Sequence, residues 1–347
     1  MNMPVFLRPY FGNAGRALLT LLSVAFVYLL AVPVVRWALL DAVWQGDAQS
    51  CRAAAGACWA YIRVKLDFFV FGFYPPAEQW RATVAMVIMV LVVVSSLFPR
   101  LWRMPLLLAW GASATVVLWL MGGGAGLVPV ASDAWGGLPL TFLLAVYGLA
   151  LGYPLGILLA LARTGNIPLL RYLSVAFIEA LRGVPFVAIL FMASVTLPLL
   201  VPDAITPGKL LRAYIAFSCV AAAYFAEGFR GALLFMPKGQ TEASSALGMG
   251  YWQTIRHVIL PQCLRSSLPV QLNTVVSFFK DTSLVVIIGL TDFLRAVSAG
   301  SRDSEWLGFD VDGYAFAAAT YFIICLAMSR YSLWLERRQT GVAPVSH

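Results

Sequence analysis

The chain has 347 residues, of which 61% are hydrophobic and 12% charged, with a formal net charge of +8. A soluble domain carries about a quarter charged residues to keep its surface in water. This composition therefore excludes an ordinary globular enzyme or a nucleic-acid-binding module, despite the basic balance. The apolar residues fall instead in runs near the ~20 residues that a helix needs to cross a bilayer.

Taken in chain order, eight spans are predicted, near 17–40, 82–98, 104–121, 138–162, 173–200, 210–229, 267–290 and 314–335. The fold class is all-α, a polytopic helical membrane protein. The first run is too long for the apolar region of a cleavable signal and reads as a retained span. Pro33, Pro154 and Pro185 are taken as compatible with helix, because neighbouring helices satisfy the freed carbonyls. The long loop 41–81 mixes Trp59, Tyr61, Phe68 and Phe69 with Arg63, Lys65 and Asp67, as an interfacial or packed helix would. Cys51 and Cys58 share this loop, which is placed outside, where disulfides persist; a bonded pair and two free thiols both fit. Gly122, Gly123, Gly124 and Gly126 read as a flexible link. The expected organisation is an N-terminal extension at 1–121, a link at 122–137, a five-span core at 138–336 and a tail at 337–347. Within the core, residues 232–265 form a loop between spans.

An even number of spans puts both termini on one side. That side holds Arg16, Arg163, Arg171, Lys238, Arg256, Arg265 and Arg330, among others, and the short loops of the other side hold Asp133, Asp292, Asp303, Glu305, Asp310 and Asp312. The bias of basic residues places both ends in the cytoplasm.

Within 232–265, the stretch Glu242–Pro261 (EASSALGMGYWQTIRHVILP) is polar enough to leave the membrane. Leu247, Trp252, Ile255 and Ile259 lie near helical spacing. A short amphipathic helix is predicted, broken at Gly248 and Gly250 and stopped by Pro261 ahead of the next span. Glu242 is expected to cap a helix N-terminus or to meet a partner's base. Such a helix docks its apolar anchors in a partner's groove.

The stretch resembles the signature loop of ABC importer permeases: E-A-A, three residues, G, nine residues, I-x-L-P. Here Glu242, Ala243 and Ser244, then Gly248, then Val258, Leu260 and Pro261 match that spacing, with Ser244 for Ala and Val258 for Ile. The likeness extends to Arg182-Gly183-Val184-Pro185, to Ala226, Glu227, Phe229, Arg230 and Gly231, to Pro237-Lys238-Gly239-Gln240, and to Lys280 through Leu284. Over about 136–336 the chain is similar to the polar amino-acid permease family, which serves histidine, glutamate, glutamine, arginine, opines and related solutes. The extra N-terminal spans and the Gly-Ala-Cys-Trp stretch at 56–59 resemble the M-type permease of the general L-amino acid transporter.

The resemblance implies a five-helix permease core and a division of labour. Two permease chains form the pore, the second being a different Q-type chain. An ATPase dimer binds ATP and Mg below, a periplasmic amino-acid-binding protein delivers L-amino acid from above, and membrane lipid surrounds the whole at the bacterial inner membrane. It makes Glu242, Ala243, Ser244, Gly248, Val258, Leu260 and Pro261 the ATPase-coupling residues. The chain itself has no phosphate loop of the G-x-x-x-x-G-K-[ST] type, which makes it a non-catalytic subunit without a cofactor of its own.

Charges at membrane depth are costly and face protein or water. Glu179, Arg182, Glu227, Lys280 and Asp281 are therefore the substrate-pathway candidates, since a zwitterion needs both a donor and an acceptor. The competing reading is structural, with Glu179 paired to Arg182 three residues on and Lys280 paired to Asp281. His257 has no second ligand near it, so no metal site is expected, and no nucleophile–base set is found. The alternative function is a secondary transporter or channel without an ATPase. A membrane enzyme lacks its acid/base or metal cluster, and a scaffold protein leaves the signature unexplained.

Overall fold

The computed structural model describes residues 8–98, 101, 104–202 and 206–340. The expected tail beyond 340, and Arg100 and Arg103 of the basic loop, lie outside the described residues. Twelve helices matter here: α1 (Ala14–Val35), α2 (Trp59–Phe71), α3 (Gln79–Ser96), α4 (Met104–Gly122), α5 (Gly137–Thr164) and α6 (Pro168–Gly183); then α7 (Phe186–Leu200), α8 (Lys209–Leu234), α9 (Lys238–Ala246), α10 (Leu260–Asp281), α11 (Phe293–Gly300) and α12 (Asp310–Thr340). Among the described residues the one strand is Thr291–Asp292, bridged to Gly136 and Gly137. Seven helical runs are long and apolar enough to cross a membrane, and an eighth is present if α6 and α7 together count as one.

That pair corrects the expected span 173–200. The helices meet at a bend of 105°. The cause is local: Pro185 clashes with a helical residue before it and holds Val184 extended, at φ −103° and ψ 136°. Pro33 and Pro154, by contrast, sit inside α1 and α5 as expected. A second correction concerns the span expected at 267–290. Its helical run begins far earlier and is continuous from Tyr251 to Ile288.

The chain divides into two compact units, which does not coincide with the expected boundary at 121–138. The first takes Met1–Leu66 with Gly300–Phe316. Cys51 and Cys58 are bonded there, with Cα atoms 5.5 Å apart. Tyr61 is buried between the rings of Trp306 and Phe309, with centroids 5.5 and 5.8 Å away. Asp312 accepts the Cys58 N–H at 2.7 Å, and Lys65 pairs with Asp303 at 2.6 Å. Helix α1 belongs to this unit and buries none of its residues.

The second unit takes Asp67–Ala299 with Ala317–His347. It includes α3 and α4, which the composition shift had assigned to the extension. They belong here because Met89, Val117, Leu120 and Met121 share one buried cluster with Leu143 and Tyr147 of α5. The glycine stretch after α4 is a closed turn rather than a flexible link: Gly124 and Leu127 exchange backbone hydrogen bonds of 2.9 and 3.2 Å. Gly123 has φ +76°, and a Cβ there would stand 2.2 Å from the Val128 carbonyl oxygen.

Lipid tails are as apolar as leucine, so close packing rather than hydrophobicity joins helices in a bilayer. Helices α5 and α8 meet along Gly148, Gly152 and Gly156, one every four residues. A Cβ at 148 would lie 2.6 Å from the Phe217 ring, and one at 156 would lie 2.6 Å from Phe225 Cβ. Gln271 of α10 adds a polar tie, donating to the Phe225 carbonyl of α8 at 3.2 Å.

Candidate functional site

Helix α8 ends at Leu234, and Pro237 leads directly into α9. Its missing N–H is harmless where no intrahelical partner exists. Ser244 is buried and donates to the Gln240 carbonyl at 2.7 Å, while Glu242 and Ala243 lie on the exposed side. Glu242 stands beyond the first turn of α9, so it does not cap the helix as expected; its carboxylate is presented to solvent instead.

The helix stops in a Schellman turn. Met249 N–H bonds the Ser244 carbonyl at 3.0 Å, and Gly248 N–H bonds that of Ser245 at 2.9 Å. Gly248 takes φ +75° with open space around it, so the backbone rather than crowding requires glycine here. Gly250 is different. It is extended, at φ −72°, and serves as an N-cap whose N–H is held by Gln253 Oε1 at 2.9 Å.

From Tyr251 the chain is helical without a break. Five residues, Ile255–Ile259, form a π turn just before Pro261, which occupies the first turn of α10. This corrects the expected stop at Pro261: the widened turn takes up the missing donor and the ring, and the helix runs on. Val258 and Leu260 are half-buried, and Thr254, Ile259 and Cys263 face the body. The expected single apolar face is therefore divided. Ile259 points inward, whereas Leu247 and Trp252 are 80% and 72% exposed. Gln262 donates to Gln240 at 3.2 Å and ties α9 to α10. Tyr251 and Trp252 also wall a cavity of about 440 Å³ with Leu158, Leu161, Ile167 and Leu170. Large exposed apolar side chains grouped in this way mark a surface for another protein or for the membrane.

Near the same end lies a continuous charge cluster. Arg163 of α5 reaches Glu179 of α6 at 2.9 Å and Glu227 of α8 at 3.3 Å. Arg182 of α6 meets Glu227 at 3.5 Å and lies 5.5 Å over the Tyr224 ring. Arg230 grips both Glu227 oxygens, with Nε at 3.0 Å from each. Glu179 and Arg182 thus do not pair with each other; each reaches across to a different helix. Sequence reasoning missed Arg163 and Arg230 as members. For Arg230 a signal was available, since it lies three residues after Glu227 on one helix face; α5 carries no acid, so nothing local marked Arg163.

Lys280 and Asp281 stand at the other end of α10, about 30 Å from its start at 1.5 Å per residue. Neither has an ion-pair partner among the described residues. The five charged candidates therefore form two groups rather than one site. His257 bonds only the Gln253 carbonyl, at 3.0 Å, and no cluster that would hold a metal occurs among the described residues.

Seven helical runs long and apolar enough to cross a membrane, with a capped, outward-facing helical turn between two of them, define a multi-span membrane protein. Residues 152–341 match the family model for the binding-protein-dependent transport system inner membrane component, and the chain belongs to that family. It is 41% identical to the inner membrane amino-acid ABC transporter permease protein YhdY of Escherichia coli (strain K12), over 96% of this chain and 92% of the relative. It is 34% identical to the glutamate/glutamine/aspartate/asparagine transport system permease protein BztC of Rhodobacter capsulatus, over 94% and 90%. A crystal structure of an amino acid ABC transporter with histidines aligns at TM-score 0.52 and 26% identity, covering 58% of this chain and 92% of that one. The chain is thus a non-catalytic permease subunit of the inner membrane.

Proposed function

We propose that this chain moves L-amino acids as one permease of an ATP-driven importer, and that the segment from Lys238 to Pro261 couples it to a separate ATPase. The observation that carries the reading is the exposure of Leu247 and Trp252 on a helix pair whose turn is fully capped. A structure this well specified, with its largest apolar groups in solvent, is made to be covered. Relatives named as amino-acid permeases support the substrate class.

In this reading the ATPase dimer, with its ATP and Mg, holds Leu247 and Trp252 in a cleft. Closure of the ATPases moves α9, and α10 carries the motion because no break separates it from the turn. Nucleotide and the loaded periplasmic binding protein must favour the same conformational state. A second permease of the Q type completes the pore, and both termini lie in the cytoplasm. Lys280 and Asp281 are the charges left free to meet the substrate's carboxylate and ammonium, whereas Glu179, Arg182 and Glu227 are held by their partners.

The test is affinity purification from membranes followed by uptake of labelled amino acids into vesicles. Recovery of an ATPase with the intact chain, its loss with Leu247→Asp and Trp252→Asp, and ATP-dependent uptake of amino acids are expected. Uptake driven by an ion gradient in the absence of ATPase would overturn the proposal.

A further inference from the structure

The second unit contains another cavity, of about 620 Å³, bounded by α3, α4, α5, α10 and α12. Its size falls in the range of ligand sites, about 300–1,000 Å³. No charged residue lines it. Three of its polar side chains are already bonded to protein. Trp110 Nε1 donates to Ser96 Oγ at 3.0 Å, Ser96 donates to the Val92 carbonyl at 2.8 Å, and the Tyr331 hydroxyl donates to the Leu97 carbonyl at 2.9 Å. Tyr153 presents its ring edge-on to Phe225 and Phe229. What remains for an occupant is hydrocarbon, such as Val94, Leu149, Leu272, Val275 and Met328. A zwitterionic solute would leave its charges unmet here, so this is not the transport path. Water does not fill a dry apolar space, and an empty one forfeits dispersion contacts on every wall.

The rim supplies the second observation. Arg265 stands three residues before Leu268 on α10, and Arg330 three residues after Ala327 on α12; Leu268 and Ala327 both line the cavity. A spacing of three keeps residues on one helix face, so Arg265 lies one turn before the first lining residue of α10, while Arg330 stands beside the cavity, between the lining residues Met328 and Tyr331 of α12. Both lie toward the end that bears the coupling segment. Both arginines are exposed, and neither is in an ion pair among the described residues. Apolar space at membrane depth beneath free cations matches a lipid with an acidic headgroup.

We infer that the cavity holds a phospholipid of the leaflet on the coupling side, with one acyl chain between α3–α4 and α10–α12 and its phosphate against Arg265 and Arg330. The lipid then stands in for the missing packing between the two N-terminal spans and the last two core spans.

Native mass spectrometry of the intact transporter, stripped of lipid and titrated with phosphatidylglycerol or phosphatidylcholine, tests this. Phosphatidylglycerol is expected to bind the more tightly. Arg265→Gln with Arg330→Gln should weaken it about fivefold per arginine without altering the fold. Ala327→Phe, which fills the cavity, should abolish the bound lipid. Equal affinity for both lipids in all variants would overturn the inference. So would a photo-crosslinker at position 327 that captures the partner permease instead of lipid.

Discussion

The two ends of the helical body treat charge in opposite ways. At the coupling end, Glu227 sits among Arg163, Arg182 and Arg230, with Glu179 extending the chain, and three helices are joined through one carboxylate. At the far end Lys280 and Asp281 have no ion-pair partner among the described residues, and Asp292, fully buried, is met by backbone N–H groups of Leu294 and Arg295 at 3.2 and 3.0 Å. The difference teaches that a charge at membrane depth is not in itself a pathway residue. Those bound by ion partners on several helices hold the helices in register, and those without such partners do not.

The strongest way to break this comparison is Glu227→Ala, which strands three arginines. Their side chains and that of Glu227 are 19–33% exposed, so the cost is about 3 kcal/mol, the low end for removing one partner of a buried pair. A large drop in thermal midpoint and membrane abundance is expected, with partial recovery in Glu227→Asp. Wild-type stability in Glu227→Ala would mean that the cluster holds nothing together.

Gly248→Asp comes next. The left-handed turn costs an L-residue about 1 kcal/mol or more, too little to remove the protein from the membrane but enough to shift Leu247 out of its outward position. Uptake and stimulated ATP hydrolysis should be lost with normal abundance, and Gly248→Asn should retain more of both. Normal uptake by the aspartate variant would dissociate this turn from coupling.

At the far end, Lys280→Ala and Asp281→Asn should change thermal stability by less than about 0.5 kcal/mol while cutting uptake several-fold. Unchanged uptake across a panel of amino acids would remove both from the pathway.

The remaining effect concerns pH. Burial pushes the Asp292 carboxyl up to about 7, against the two N–H groups, the Tyr321 hydroxyl and the more distant Arg295 charge. The native state therefore holds this proton more tightly than the unfolded chain does. Stability is highest at acid pH and falls as pH rises from the ordinary carboxylate range to about 7, then levels off. Asp292→Asn should flatten that part of the melting profile between pH 5 and 8. An unchanged slope would assign the titration elsewhere.

Much of this was legible in the sequence because apolar run length and motif spacing are local. The helical class and the permease family came through on those grounds. What stayed hidden depended on partners distant in sequence. Nothing near Arg163 says that it will reach both Glu179 and Glu227. Pro185 and Pro261 look alike as residues. Yet the first breaks a helix because Val184 has no alternative, while the second is absorbed because the preceding turn can widen. Leu247 and Ile259 share a helical spacing on paper, but the left-handed glycine between them turns one outward and the other inward.

The glycine seam between α5 and α8 has a mechanical corollary. With backbones this close and aromatic rings lodged in the gaps, the two helices form a single two-ply strut that resists sliding and twisting. A rearrangement of the helical body would then fall elsewhere, at the bend before Pro185. Distance probes placed across the seam should stay constant through the transport cycle while those spanning the bend change.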